Sequence, residues 1–336
     1  MAGVHPLPPS SCSSTNSIPL LAIGAIYAYL LSRSPRAHSI TVAVRSAYPI
    51  VSTVGYTIDS VLIGQHTYLP ARVITLPTQL SPNEEFDYII VTTKATSGSL
   101  PLRGYPIGRA TTIVLIQNGI GVEAPYVAAF PGTAIVSGVA YIAAAQPEPG
   151  RVVQSTVSMS LQLGVYPSRG ASGVEELTEL VGALNDAAIP AVALADIQGA
   201  RWRKLLFNGC YATVCALTRL DTLEAMETSG TLIRALAEEI RATANAAGCG
   251  MKREEVEKFF EKTDGLRMVP SMLQDRNAGR EMEVHALCGN VVAIARMFGV
   301  AAPRMEAVWE ALRGINRSLE LERGEREAAV AAESSL

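Results

Sequence analysis

Three segments of this chain, Ser39–Val44 (SITVAV), Asp87–Thr93 (DYIIVTT) and Thr111–Gln117 (TTIVLIQ), are short, β-branched and apolar almost without interruption. A strand with one wet face alternates apolar and polar residues, whereas a strand apolar at consecutive positions needs cover on both faces. Val136–Ala143 (VSGVAYIA) has the same character, and the connecting segments are long enough for crossovers. Such strands belong to an α/β fold, a doubly wound parallel sheet of Rossmann type with helices on either side.

Beyond this sheet the pattern changes twice. Arg151–Tyr166 alternates apolar and polar residues, the mark of a half-exposed antiparallel ribbon. Val174–Ala187 is helical, and Ala191–Asp196 after Pro190 reads as a last strand. From Ile197 onward apolar residues recur at i, i+3 and i+4: in Arg201–Leu217, Thr231–Gly248, Arg253–Lys262, Met282–Gly299 and Pro303–Leu319. Each is an amphipathic helix. The expected organisation is a Ser- and Pro-rich disordered tail over 1–17, an α/β domain over 18–196, an all-helical C-terminal domain over 197–322 and a frayed tail over 323–336.

Composition excludes several classes of protein. Hydrophobic residues are 49% of the chain, charged residues 18%, and the net charge is −3, with no basic stripe to hold a nucleic acid. The run Ile18–Leu31 (IPLLAIGAIYAYLL) has 14 residues, against about 20 for a bilayer span. No Lys or Arg precedes it, as a secretory leader would require. Five cysteines, an odd number without a CxxC pair, read as reduced thiols, so the expected location is cytoplasmic. The four histidines are scattered and form no metal-type pair.

Four places carry polar residues that chemistry could use. Lys204, Asn208 and Ala212 follow one another at i, i+4 and i+8, placing an ammonium beside an amide on one helix face. Such a pair could hold and protonate a carbonyl oxygen, although spacing alone favours a snorkelling lysine beside a solvated amide. Ser271 and Glu283 flank a short connection and could meet a hydroxyl and a carboxylate, or serve as a turn cap and a helix-dipole partner. Lys94 and Asn118–Gly119 close two of the buried strands, where open α/β sheets bind ligands, but N-G is also a strong turn signal. Arg45 closes the strand Ser39–Val44, 21 residues after Gly24. Dinucleotide folds place the residue that reads the adenosine ribose at about that distance, and Arg there suits the 2′-phosphate of NADP. A solvated arginine ending a strand is the competing reading.

In combination the chain resembles the ketopantoate reductase (2-dehydropantoate 2-reductase) family over roughly residues 20 to 320. The blocks that carry the resemblance are Val91–Ala95 (VTTKA), Leu115–Gly121 (LIQNGIG), Trp202–Asn208 (WRKLLFN) and Ser271–Asp275 (SMLQD), with Glu283 twelve residues after Ser271. The resemblance implies a Rossmann-type domain binding NADPH and a helical domain closing over a 2-keto acid, which is reduced to a 2-hydroxy acid. By position, Lys204 matches the general acid and Glu283 an acidic residue that supports catalysis. Asn208 and Ser271 match substrate-binding positions, Lys94 and Asn118 line the cofactor and the cleft, and Arg45 reads the 2′-phosphate. No metal, nucleic acid or membrane partner is implied, and the helical stripes would serve a core or a homodimer face equally.

Two departures from the family pattern stand out. With Gly24 as the third glycine of GxGxxG, Pro19 and Leu21 occupy the first two positions, and Ser13–Ile18 is a poor first strand. Either the natural N-terminus differs from residues 1–23 or tight dinucleotide binding has been lost; the strands and Arg45 favour the first. Ala212 stands where the family commonly has another substrate-facing Asn, which points to a less hydroxylated 2-keto acid. The rival expectations are a D-2-hydroxy-acid dehydrogenase on the same fold and a catalytically silent member.

Overall fold

The computed structural model describes residues 15–18, 22–36, 39–81, 83–96, 100–166 and 173–333. The chain forms two compact units. The α/β unit comprises Met1–Thr93, Pro101–Ile116 and Val127–Ala195; the helical unit comprises Lys94–Leu100, Gln117–Tyr126 and Asp196–Leu336. The division differs from a single cut near residue 196, because two short segments that follow strands cluster with the helices.

Among the described residues the α/β unit holds twelve strands. They are β1 (Thr15–Ile18), β2 (Thr41–Ala43), β3 (Tyr56–Ser60), β4 (Gly64–Tyr68), β5 (Arg72–Ile74), β6 (Tyr88–Val91), β7 (Thr112–Leu115), β8 (Ala134–Tyr141), β9 (Ala144–Glu148), β10 (Arg151–Gln154), β11 (Ser160–Val165) and β12 (Ala191–Ala193). Eight of them form one sheet in the order β12-β11-β8-β7-β6-β1-β2-β5. The six from β5 to β8 are mutually parallel. Counted along the chain, they run third, second, first, fourth, fifth, sixth, which is the doubly wound order of dinucleotide folds. The other four strands form a second sheet, β4-β3-β10-β9.

The expected strands lie where their hydropathy placed them, with Ile89, Ile113, Val114 and Leu115 at most 1% exposed. Two expectations are corrected. Residues 15–17, assigned to a disordered tail, and Ser13–Ile18, judged a poor strand, contain β1, which pairs with β6 from Thr15–Tyr88 to Ile18–Val91 and with β2 on its other edge. Backbone pairing on both edges is what makes this segment a strand. Residues 1–14 and Pro19, Leu20 and Leu21 lie outside the described residues. The expected ribbon 151–166 is two strands in different sheets, each with an antiparallel neighbour: β10 pairs antiparallel with β9 and parallel with β3, and β11 pairs antiparallel with β8. A period of two reveals one covered face but not which strand provides the partner.

Helices of this unit are α1 (Ala22–Leu31) and α2 (Tyr48–Val51), followed after α3 (Ala124–Ala129) by α4 (Val174–Asp186). The apolar run that opens the chain is accounted for by α1, in which every residue but Ile23 is buried. It lies against β9 and β10 of the small sheet and shares a core with Val42, Ile90 and Val114 of the large one. A helix covered on two sides is apolar all round. Among the described residues no helix is long and apolar enough to cross a membrane.

The helical unit contains α5 (Ile197–Leu206), α6 (Ala212–Thr218), α7 (Thr222–Ala246), α8 (Arg253–Lys262), α9 (Ser271–Asn277), α10 (Asn290–Met297) and α11 (Pro303–Glu333). Asp196 and Asp221 cap α5 and α7 by accepting from the Gly199 and Glu224 amides. The expected frayed tail from residue 323 is corrected: α11 continues to Glu333, since Glu, Arg and Ala favour helix even without an apolar stripe. Two π turns, Phe207–Tyr211 and His285–Gly289, join α5 to α6 and lead into α10, and they pack on each other.

Ile89 lies fully buried on β6 between β1 and β7. Ile89→Ala should lower the unfolding free energy by about 2–5 kcal/mol. Leu62→Ala, at a side chain 43% exposed, should change it by less than about 0.5 kcal/mol. Urea unfolding of both variants checks the contrast.

Candidate active site

Most of the polar residues singled out in the sequence come together inside the helical unit. Lys204, in the last turn of α5, donates from Nζ to Oδ1 of Asn118 at 2.9 Å. Asn118 donates from Nδ2 to Oε2 of Glu283 at 3.3 Å, and the Ala95 amide donates to the other carboxylate oxygen at 3.0 Å. Lys94 is paired with Asp275 at 2.6 Å and also donates to the Glu281 carbonyl at 3.3 Å. A lysine, an amide and a carboxylate are thus connected in series, with a second lysine–carboxylate pair beside them.

The π turn that follows Lys204 explains how its helix presents this side chain and the next ones. In a straight α-helix, with 3.6 residues per turn, each step of four residues overshoots the starting face by about 40°, so eight residues overshoot by about 80°. A π turn takes up one extra residue and so brings Asn208 and Ala212 back towards the Lys204 face. Asn208, on the π turn itself, is half-buried and makes no side-chain hydrogen bond with the described residues. Ala212 is 2% exposed and joins the core of the unit. Ser271 is exposed at the first turn of α9, one turn before Asp275.

Asn118 is held by its neighbours. Arg201 donates from Nη1 to the Gln117 and Gly119 carbonyls at 2.8 and 3.0 Å. Gly119 has φ +99°, and a Cβ there would lie 2.5 Å from the Ala286 carbonyl oxygen. Only glycine fits that backbone and that approach. The Ile120 amide then donates to the Ala286 carbonyl at 3.1 Å, and Asn290 donates to the Ile120 carbonyl at 2.6 Å. The N-G turn read from the sequence is therefore pinned by α5 on one side and by the second π turn on the other.

Burial and charge set the acidity of the two central groups. Loss of hydration and the nearby Arg201 guanidinium lower the Lys204 ammonium from 10.5 to about 8, against a smaller opposing pull from Glu283. Burial pushes the Glu283 carboxyl up from its ordinary value, partly offset by the Ala95 and Asn118 hydrogen bonds and by Lys94. A lysine near neutrality, with its proton aimed at an amide oxygen, is equipped to give that proton to a ligand oxygen.

The remaining candidates lie in the α/β unit. Gly24 is buried in the first turn of α1. Arg45 is exposed in the turn after β2, where its carbonyl accepts from the Tyr48 amide. Its guanidinium makes no ion pair among the described residues and lies near enough to Tyr105 to oppose the upward push of burial on that phenol. An accessible guanidinium at the carboxyl end of the second parallel strand fits the 2′-phosphate of a dinucleotide. Among the described residues a nicotinamide dinucleotide would meet Arg45, while Pro19, Leu20 and Leu21, the connection between β1 and α1, fall outside them. No group of His, Cys, Asp or Glu among the described residues is placed to hold a metal ion.

Three residues of the site escaped the reading of the sequence. Asp275 ended a noted block without being singled out. Arg201 had a visible signal: it sits on the buried stripe Ile197–Arg201–Leu205, a charge flanked at four-residue spacing by apolar positions. Its partner Glu123 had none.

The lowered Lys204 pKa has a consequence for stability. The unfolded chain binds more protons than the folded one between about 8 and 10.5, so stability should rise with pH across that window. Below it the full penalty applies. Lys204→Met should therefore raise the unfolding free energy at pH 7 by about 1–2 kcal/mol, discounted for partial access to solvent, and the gain should shrink by pH 9.5. Urea denaturation at the two pH values measures this; a variant less stable at both would show that the ammonium is not penalised.

Comparison with known proteins identifies the scaffold. The family model "Ketopantoate reductase PanE/ApbA" matches residues 22–168, and "Ketopantoate reductase PanE/ApbA C terminal" matches residues 196–316. The 2-dehydropantoate 2-reductase of Nostoc sp. is 27% identical over 316 residues, which cover 90% of this chain and 97% of that protein. The crystal structure of 2-dehydropantoate 2-reductase from Methylococcus capsulatus has a TM-score of 0.81 at 32% identity, covering 91% of this chain and 98% of its own. A D-mandelate dehydrogenase solved with NADH and anilino(oxo)acetate shares the fold, with a TM-score of 0.80 at 20% identity over 91% of this chain and 99% of its own. With both family models matched and the fold shared along nearly its whole length, the chain belongs to the ketopantoate reductase family.

Proposed function

We propose that this protein is an NADPH-dependent reductase of a 2-keto acid, with 2-dehydropantoate, reduced to (R)-pantoate, as the leading substrate. The observation that carries the reading is the Lys204 ammonium, made acidic by its surroundings and hydrogen-bonded through Asn118 to Glu283. A reduced nicotinamide, when bound, supplies the hydride.

The chain's own residues do the rest. As the ketone carbon gains the hydride, its oxygen becomes an alkoxide and needs a positive charge and then a proton. Lys204 Nζ provides both, leaving as a neutral amine. Asn118 fixes the direction of the Nζ hydrogens, since its amide is itself oriented by donation to Glu283. The Glu283 carboxylate anchors the series through the Ala95 amide and steadies the positive charge on Lys204. Asn208, without a hydrogen-bond partner among the described residues, and the exposed Ser271 hydroxyl supply polar contacts to the substrate's carboxylate and hydroxyl. Lys94 and Asn118 serve both the substrate and the cofactor. Arg45 holds the 2′-phosphate, and Gly24 keeps α1 close to the sheet.

Ala212 favours a related second reading, reduction of a different 2-keto acid to a D-2-hydroxy acid. It puts a buried methyl group on the Lys204 stripe and adds no hydrogen-bonding group there. A panel of 2-keto acids with and without hydroxyls separates the two, the first reading requiring that 2-dehydropantoate give the highest kcat/KM.

Lys204→Ala should reduce kcat by about 10²–10⁴-fold while NADPH still binds, as followed by its fluorescence; unchanged turnover would remove Lys204 from the role. Arg45→Ala should weaken NADPH roughly ten- to a hundredfold and NADH much less, and equal losses would contradict the 2′-phosphate assignment.

A further inference from the structure

Arg201 and Glu123 form an ion pair at 2.8 Å whose side chains are 1% and 0% exposed. Gln198 donates to the same Glu123 oxygen at 2.7 Å. Burying two charges in this way generally returns no stability over a well-packed apolar pair, so the pair calls for another explanation. Its surroundings supply one. The Arg201 guanidinium reaches the carbonyls of Gln117 and Gly119, the residues on either side of Asn118. Arg201 also precedes Lys204 by three residues on the same helix, which sets the two cations on adjoining positions of one face.

We propose that Arg201, clamped by Glu123, is a positioning residue for proton delivery: it fixes the Asn118 turn with its fork of donors and sets a permanent positive charge beside Lys204. The proposal rests on the reading of Lys204 as the proton donor. A guanidinium suits both tasks, since it stays charged at any working pH and its planar donors can serve a carboxylate and two carbonyls at once. Charged groups that act on Lys204 include Arg201 from its own helix and Glu283 from the segment before the second π turn. Lys94 and Asp275 act on Glu283. Glu123 neutralises the buried guanidinium. The device therefore has two separable parts, the fork and the charge.

Two variants of the full-length protein separate them. R201K keeps the charge and loses the fork; R201Q/E123Q removes both charges together and leaves no buried ion without its partner. The readouts are the pH midpoint of Lys204 acylation by acetic anhydride, followed by mass spectrometry without cofactor, and kcat and KM with NADPH and 2-dehydropantoate. The double variant should move the acylation midpoint up by about one pH unit and lower kcat tenfold or more, with KM changed less than about threefold. R201K should keep the wild-type midpoint and still lose kcat. An unchanged midpoint in the double variant would overturn the proposal. Should the double variant not fold, R201K decides alone, a wild-type kcat being contrary and a tenfold loss with KM kept being supportive. A midpoint that moves while Lys204→Ala leaves turnover intact would overturn the functional reading and leave the coupling of Arg201 to Lys204 standing.

Discussion

An ammonium group kept where its own charge is disfavoured is the constraint on which the helical unit's polar architecture depends. Lys204 loses hydration, faces a neighbouring guanidinium, and is compensated by the Asn118 amide oxygen and by the charge of Glu283. Each of these partners must be held in place, because an unpaired charge in such surroundings costs far more than a solvated one. The Asn118 turn is held by Arg201 and by the π turn at His285–Gly289; Glu283 is held by the Ala95 amide. Several features that look unrelated in sequence are parts of this one solution: a glycine at positive φ, a buried arginine and two irregular helical turns.

The α/β unit contributes by a different kind of physics. Its large sheet is fixed by consecutive apolar residues that need cover on both faces, and α1 is apolar all round because two sheets cover it. Little of its chemistry is intrinsic. Its described residues offer a ligand an exposed guanidinium, Arg45, after the second parallel strand. The functional reading accordingly assigns it the cofactor, and assigns proton transfer to the helical unit.

Much of this was legible in the sequence, and the reasons differ by feature. Ile89 to Val91 and Ile113 to Leu115 announced buried strands because hydropathy at consecutive positions has one structural explanation. The spacing of Lys204 and Asn208 announced a shared face. The strand β1 was hidden because Thr15–Ile18 (TNSI) carries no strand pattern in sequence and its pairing partners, β2 and β6, lie well downstream. The π turns were hidden too, since helix propensity is the same for an i→i+4 or an i→i+5 bond, and only the packing of Gly209 and Gly289 against neighbouring side chains marks the sites. The pairing of Arg201 with the Asn118 turn joins positions 84 residues apart, a distance that no local pattern spans. The Glu-, Arg- and Ala-rich end of α11 reads as a fraying tail by its charge and its Ala/Ser content, yet the intrinsic helix propensity of those residues carries the helix to Glu333.

The acidity of the Lys204 ammonium, on which proton delivery depends, can be examined without substrate or cofactor. The chain has five lysines, few enough for the side-chain Cε signals of a ¹³C-lysine-labelled sample to be assigned by single substitution and titrated by NMR. The Lys204 signal should titrate with a midpoint of about 8. A midpoint at the ordinary lysine value, about 10.4, would contradict it.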